Sequence, residues 1–425
     1  MNQQPPFVPI AVTGIGMITT QGLTRSASWA GIRSGVETLR PWEPRGAGIP
    51  ASLATVRVAQ CPPPPCPKNI PLHLWRLLAR TQQLACLCAD EALRSAALPE
   101  KFSRQDAPAG CFLATSVCGM DQSEQYYAVY RRDRDRAPPA HMRRLQPHET
   151  LALLARRHHL AGPCYLNLTT CVGSAMAIGA ACDAIHSGKI DLALAGGTEA
   201  LCRLILTGFH SLRLLAADGC RPFDRNRPGI TVGEGAAILV LESLEHAYRR
   251  GARPIGFIRG FAATCDAHHI TKPDPGGVYA AAAITGALAA ARLAPDQIDY
   301  VNAHGTGTRD NDAVEARVLQ QVFRTATRPP PPVSSTKRLT GHTFAAAGAI
   351  EAAICLLALA DGLLPPNSCL RDPDPACDLP LVRRPTAQAI ETALSCNFAF
   401  GGNNTALVFS KTREAPATGA TGESL

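Results

Sequence analysis

Apolar residues recur along this chain in short continuous runs separated by stretches of helical periodicity, the pattern of buried strands alternating with helices. The first run, VPIAVTGIGMI at 8–18, predicts a strand ending in a glycine turn, and the helix-like GLTRSASWAGIRSG follows it. Residues 40–75 are rich in proline and predict irregular chain, after which LHLWRLLARTQQLACLCADEALRSAAL carries a strong helical period. GCFLATSVCG at 110–119 predicts a buried strand closing in a small-residue turn, and 120–160 predict helices with basic patches. GPCYLNLTT carries turn and strand signals, and VGSAMAIGAACDAIHSG recurs in apolar and small residues until Gly188 stops it. KIDLALAGGTEAL predicts a strand running into a glycine turn, and GEGAAILVLESLEHAYRRGA a strand with a short helix.

The order then repeats. RPIGFIRGFAATCD is like the opening strand, VYAAAAITGALAAARL predicts a helix, DYVNAHGTGT a strand and turn, and LTGHTFAAAGAIEAAICLLALADG a second alanine-rich helix. TALSCNFAFGG and NTALVFS predict two closing strands. Two halves on one plan predict an α/β fold, a duplicated five-layered α-β-α-β-α sandwich. Residues 7–255 form its N-terminal half, 256–412 its C-terminal half, and 413–425 a disordered tail. The most apolar long window, AAAGAIEAAICLLALADGLL, is interrupted by Glu351 and Asp361 and predicts a buried helix of a soluble protein, not a membrane span.

Composition narrows the function classes. Sixteen cysteines would suit a disulfide framework in a short secreted chain, but this one has 425 residues, and MNQQPPFVPIAVTG has neither the basic nor the apolar region of a secretory signal. A reduced, cytoplasmic protein is expected. Cys61 and Cys66 bracket four prolines and Cys86 and Cys88 are one residue apart, so neither pair has zinc-knuckle spacing and no metal is expected. Gly14 and Gly16 raise a dinucleotide fingerprint, but the third glycine and an acidic ribose partner are missing. A net charge of +8 would suit nucleic acid, a membrane surface or an acidic protein, and no nucleic-acid motif is present. RRDRDR at 131–136 alternates in sign, as a solvated face or a subunit-contact edge does.

Candidate chemistry centres on Cys171, set between an extended run and a helix of small residues. At a helix start, unsatisfied N–H groups and the dipole favour thiolate, lowering a cysteine from ~8.5 to as little as ~3.5–7.5. By the internal repeat, the helix after Gly341 is the counterpart of the one Cys171 opens, and His342 stands where Cys171 stands. A histidine so placed stays neutral and can donate an N–H to a developing oxyanion. His304 lies just past a strand in VNAHGTGT, where glycines let the backbone approach a ligand.

Together TTCVGSA, NAHGTGT, SSTKRLTGH and NFAFGGNN, with the connecting CRPFDRNRPGITVGEGAAILVLESLEHAYRRGA, resemble the elongating, Cys-His-His type of β-ketoacyl-acyl-carrier-protein synthase, in the thiolase-like superfamily. The resemblance runs from about Val12 to Phe409. It implies a thiolase-like sandwich and a decarboxylative Claisen condensation of an acyl thioester with malonyl-carrier protein, in fatty-acid or polyketide elongation. Cys171 would be the acylated nucleophile, and His304 and His342 the pair that binds the malonyl thioester carbonyl and promotes decarboxylation. Lys337 resembles the family's buried lysine, Glu315 its carboxylate partner, and Phe400 the phenylalanine that gates the acyl pocket. The N–H groups of Cys171 and Phe400 would form the oxyanion hole beside Gly401 and Gly402. Thr306 and Thr308 match the threonines that hold the phosphopantetheine arm.

No cofactor is implied, since phosphopantetheine arrives on the carrier. The implied partners are an acyl carrier protein, for which Lys68, Arg76, Arg203 and Arg213 are candidate docking residues, and a second subunit in a homodimer or a heterodimer with a related chain. The chain departs from the family at Thr170, commonly alanine, at Val172 and Gly173, and in SVCG at 116–119, and 40–80 and 120–150 match poorly. These regions bear on the acyl substrate. They keep two alternatives open, a ketosynthase specialised for a polyketide or polyene pathway and a non-catalytic subunit like a chain-length factor.

Overall fold

Ten strands form one mixed sheet in the computed structural model, which describes residues 8–44, 51–103, 108–324 and 328–412. The predicted tail at 413–425 and residue 7 lie outside the described residues. The first half supplies β1 (Ile10–Ile18), β2 (Ala109–Ala114), β3 (Cys164–Asn167), β4 (Leu192–Glu199) and β5 (Gly235–Glu242). The second supplies β6 (Gly256–Cys265), β7 (Tyr300–Asn302), β8 (Val333–Ser334), β9 (Thr392–Phe398) and β10 (Asn403–Ser410). Across the sheet they run β8-β7-β9-β10-β6-β1-β5-β4-β2-β3. Read outward from the centre, each half has its first, fifth, fourth, second and third strands in that order. The directions match too: the outer three strands of each half are parallel and the inner pairings antiparallel. The halves join where Ile10–Val12 pair with Gly256–Ile258.

Helices α1 (Arg80–Ser95), α2 (Gly173–His186), α3 (Val278–Ala291), α4 (Arg309–Phe323) and α5 (Ala347–Asp361) complete the layers. α1 covers β1, β4 and β5, while α3 covers β6 and β10 with α4 beside it. α2 and α5 touch one another; α2 packs on β2 and β4, and α5 reaches both β5 and β9. The sheet therefore folds around a central helix pair, giving the expected five-layered α/β sandwich. Every residue of β1, β4 and β5 is buried, because helices cover both faces, and this is why these strands read as unbroken apolar runs. The helical stretch Phe344–Asp361 is long and apolar enough to cross a bilayer, yet 89% of it is buried inside the protein, so it is a core helix.

Two glycine pairs expected in turns lie inside strands. Gly14 and Gly16 are interior to β1, and Gly196 and Gly197 to β4. A Cβ on Gly16 would sit 1.9 Å from the Cys88 carbonyl oxygen, and one on Gly14 2.2 Å from that of Ala92. Their use is the close approach of β1 to α1, which also removes the dinucleotide reading. The long helix predicted before residue 100 is broken at Leu78 and Ala79, both extended, and α1 starts at Arg80, whose guanidinium makes a buried 2.7 Å ion pair with Glu234.

Close packing of β1 on α1 predicts that Gly16→Ala destabilises the protein by about 1–3 kcal/mol. Gly208→Ala, in an exposed helix where nothing lies within 4 Å of the added atom, should be neutral or stabilising by about 0.5–1 kcal/mol. Denaturant midpoints of the two variants against the parent check this; equal shifts would rule out packing as the cause.

Candidate active site

The third strand of each half delivers the chain to the head of a central helix. Beyond β3 a single 3-10 turn, Thr170–Val172, leads into α2; beyond β8 the turn Phe344–Ala346 leads into α5. The first residue of each turn is left-handed, Thr170 and Phe344 both at φ 46°, and the helices end at Gly188 and Gly362, at φ 68° and 62°. The residue equivalent to Cys171 is therefore Ala345. His342 lies three positions earlier, which corrects the expected equivalence: the repeat includes the 3-10 turn, and the turn is invisible in the apolar pattern. A two-strand-like clasp holds His342 instead, its N–H donating to Thr231 O at 2.6 Å and its carbonyl accepting from Gly233 N–H at 3.0 Å.

This clasp brings His342 Nε2 to 3.1 Å from Cys171 Sγ. His304, on the loop after β7, sets its ring edge-on to His342, with centroids 5.3 Å apart and planes at 85°. All three side chains are buried, at 6%, 1% and 4% exposure for Cys171, His304 and His342. Burial, with the Lys337 charge nearby, holds both imidazoles well below their ordinary 6.5 and so neutral. Lys337 Nζ lies 3.3 Å from His304 Nδ1. An ammonium only donates, so Nδ1 accepts and the His304 proton sits on Nε2.

Lys337 is paired with Glu351, and it also donates to the carbonyl of His304. Glu315, the expected partner, does something else. Its two oxygens accept the N–H groups of His304 and Gly305 at 2.6 and 2.7 Å, fixing the loop that carries the histidine. The reason is placement: Glu315 stands on α4 under that loop, whereas Glu351 points from α5 toward Lys337 and accepts a second bond from Asn397. Burial pushes Glu315 up to about 8. Glu351 was missed as a partner although its signal was present, a lone charge within a buried alanine-rich helix.

The expected thiolate at Cys171 is not the resting form. Burial pushes the thiol up to about 12, against the opposing pull of Lys337 and of the Phe400 and Cys171 N–H groups. Desolvation outweighs the helix start because only 6% of the residue is exposed. A neutral imidazole at 3.1 Å can accept the thiol proton as a reaction proceeds. The N–H groups of Phe400 and Cys171 both face the sulfur, and Thr170 Oγ1 donates to the Phe400 carbonyl at 3.2 Å, a link an alanine would lack. Gly401 and Gly402, at φ 86° and 79°, turn the chain just after Phe400. Glu199 was also missed. It gathers N–H bonds from Ser116, Val117 and Ala345 at 2.8, 3.0 and 3.3 Å, tying the SVCG turn to the head of α5, and burial pushes it up to about 7.

A cavity of about 480 Å³ opens over Cys171, His304 and His342. Phe209, Phe398 and Phe400 line it, together with Thr306 and Thr308, whose hydroxyls are 2.9 Å apart. Of the basic residues expected to dock a partner, Arg213 lines this cavity and Lys68, Arg76 and Arg203 do not. Arg203 borders a separate small polar pocket with Trp42 and Glu124. Exposed Arg309 joins Arg213 at the rim.

Known proteins are similar to this chain in sequence and in fold. Residues 8–247 match the family model for the beta-ketoacyl synthase N-terminal domain, and 255–371 that for its C-terminal domain. The 3-oxoacyl-[acyl-carrier-protein] synthase 2 of Synechocystis is 34% identical, over 95% of this chain and 98% of that protein. Putative polyketide beta-ketoacyl synthase 1 of Streptomyces halstedii is 33% identical over 94% and 97%. The solved ishigamide ketosynthase/chain length factor superposes with a TM-score of 0.86 at 30% identity, over 95% of this chain and 99% of that one. With its two matched domains, its sandwich and its buried cysteine and histidines, the chain belongs to the β-ketoacyl synthase family of condensing acyltransferases.

Proposed function

We propose that Cys171 is the acyl acceptor of a two-stage condensation and that His304 and His342 serve both stages. One observation carries this reading, the sulfur and two neutral imidazoles meeting at the floor of one cavity. In the first stage Cys171 Sγ attacks the acyl thioester while its proton passes to His342 Nε2 and on to the departing pantetheine thiolate. Covalent capture divides a difficult exchange into two easier steps. In the second stage His342, whose buried Nδ1 meets no partner among the described residues, presents its Nε2–H tautomer now that the sulfur is acylated; malonyl thioester binds with its carbonyl oxygen toward the Nε2–H groups of His304 and His342, and loss of carbon dioxide leaves an enolate held there. The enolate carbon attacks the acyl-cysteine carbonyl, whose oxygen is received by the N–H groups of Cys171 and Phe400. Collapse forms the 3-oxoacyl product and returns the sulfur, which regains a proton.

Lys337, held by Glu351, positions His304 and keeps its proton on Nε2. Glu315 supports the same loop, and Gly401 permits the turn that presents the Phe400 N–H. Thr306 and Thr308 would receive the pantetheine arm, so the reading needs no resident cofactor. The acyl carrier protein would meet the rim at Arg213 and Arg309, where opposite charge speeds encounter. A second subunit is also part of the reading: β3 is a sheet edge with Tyr165 and Leu168 42% and 49% exposed, a surface another chain can pair with. That subunit is a second copy or a related chain, as in the ketosynthase/chain length factor neighbour. Sixteen free thiols fit a reducing, cytoplasmic setting.

Cys171→Ala should abolish acyl transfer while malonyl decarboxylation persists without condensation. His304→Ala or His342→Ala should slow decarboxylation by ~10²–10³-fold, since each removes a donor aimed at developing charge. Labelled carbon dioxide release and cysteine acylation, followed in parallel, test the division; silence from Cys171→Ala beside parental release from a histidine variant would overturn it.

Because burial depresses both histidines, decarboxylation should not fall as pH drops through 6.5. Stability should respond instead. Below 6.5 the unfolded chain binds protons that the folded imidazoles refuse, so their contribution is present above that pH and is lost as pH falls toward the folded values. Rate and denaturant profiles across this range give the measurement, and a rate limb titrating near 6.5 would contradict neutral histidines.

Charge reversal at Arg213 and Arg309 together should reduce kcat/KM for carrier-bound substrate by about tenfold at low salt and far less at high salt. The same change should leave turnover of a free pantetheine thioester intact. Equal losses on both substrates would rule out electrostatic docking.

A further inference from the structure

The cavity over Cys171 leads past Phe209, Phe398 and Phe400 and past Thr306 and Thr308 to the arginine rim. An acyl chain on the sulfur needs apolar surroundings, and apart from the cavity's own lining Cys171 shares a buried apolar cluster with Val117, Cys202, Ile205 and Phe344. These side chains are buried, at 1–8% exposure. Phe344 is the anomalous member: a bulky aromatic at φ 46°, a conformation that costs free energy and that bulky residues rarely adopt. Such strain points to function when the surroundings hold it in place. Here they do. The Ala345 N–H is tied to Glu199, the Phe344 ring stacks on His342 with centroids 4.9 Å apart and planes at 28°, and it meets Phe209 at 5.2 Å. Phe209 in turn stacks on Phe400 at 5.9 Å, so one aromatic train runs from Phe344 to the wall of the cavity over the sulfur.

We propose that Phe344 is a specificity-determining residue whose ring caps the acyl subsite behind Cys171 and restricts the enzyme to short acyl groups. The inference rests on Cys171 as the acyl acceptor and adds the class of acyl group it takes. The warrant is volume. Phe344 is 5% exposed and its turn is pinned at both ends, to Glu199 through Ala345 and to the clasped His342 through the stack, so the ring cannot swing aside without breaking these contacts. Replacing it with a smaller side chain would open the subsite along the line of the aromatic train while leaving Cys171, His304 and Lys337 in place.

The test offers the full chain butyryl-, octanoyl- and palmitoyl-carrier protein and reads the adduct on Cys171 by intact mass. The parent should accumulate the butyryl adduct and little of the palmitoyl one. Phe344→Leu and Phe344→Ala should raise the palmitoyl-to-butyryl ratio by about tenfold or more, the scale on which a fitted apolar pocket discriminates by size. A ratio is read because overall activity can fall when the stack on His342 is lost. Phe209→Leu, which leaves the strained turn intact, is the second arm and should shift the ratio in the same direction. A parent that takes palmitoyl as readily as butyryl overturns the proposal. So does an unchanged ratio in the Phe344 variants, or in Phe209→Leu where those variants form no adduct. A parent that forms no Cys171 adduct with any donor overturns the acyl-acceptor reading itself, and that outcome is distinct from the others.

Discussion

A buried ion pair sets the terms for the rest of this site. Lys337 and Glu351 are almost wholly removed from water, at 1% and 2% side-chain exposure, and the surrounding protein must hold both charges at once. Desolvation makes such a pair a poor source of net stability, but removing one member leaves an unpaired buried charge, typically costing about 3–5 kcal/mol. The pair is therefore a constraint on geometry. It fixes α5 relative to the turn after β8, and through Lys337 Nζ it fixes the tautomer of His304 and adds to the field that keeps both histidines uncharged.

Duplication supplies the scaffold, and departures from it supply the cluster of cysteine and histidines. Both halves end their third strand in a strained turn at the head of a central helix, so the two helix heads converge. One carries Cys171 and the other Ala345, and they are close enough that a Cβ on Gly173 would lie 3.3 Å from that of Ala345. Had the symmetry been exact, a second thiol would sit beside the first. Alanine leaves room, and the two strained residues, Thr170 and Phe344, take different tasks: Thr170 bonds to the Phe400 carbonyl, and Phe344 stacks on His342.

Small residues let these layers come together. A Cβ on Gly348 of α5 would lie 2.8 Å from the Ala175 nitrogen of α2, and one on Gly197 of β4 2.8 Å from the Ala345 oxygen. The alanine and glycine content is thus tied to the position of the sulfur, because larger residues would push the two helix heads apart. The same closeness buries Cys171, and burial rather than the helix start decides the charge of the thiol.

The sequence by itself determined the duplicated α/β plan, since covered strands must be continuously apolar and central helices must be small. It also pointed to the side chains that meet at the candidate site, because Cys171, His304, His342 and Lys337 lie in motifs whose order is linear. Tertiary structure alone decided the pairing and the charge states. Glu315 and Glu351 are both acidic residues on helices near Lys337 in the fold; a lone charge in a buried helix marks Glu351 as needing a partner, but only the placement of α4 under the loop after β7 and of α5 beside Lys337 makes the ammonium that partner. The glycines of β1 and β4 look like turn residues in one dimension, and only the helix across from them explains their use. The offset between His342 and Cys171, and the thiol's rise to about 12, depend on a 3-10 turn and on enclosure by distant segments, and these are properties of packing that a linear pattern does not carry.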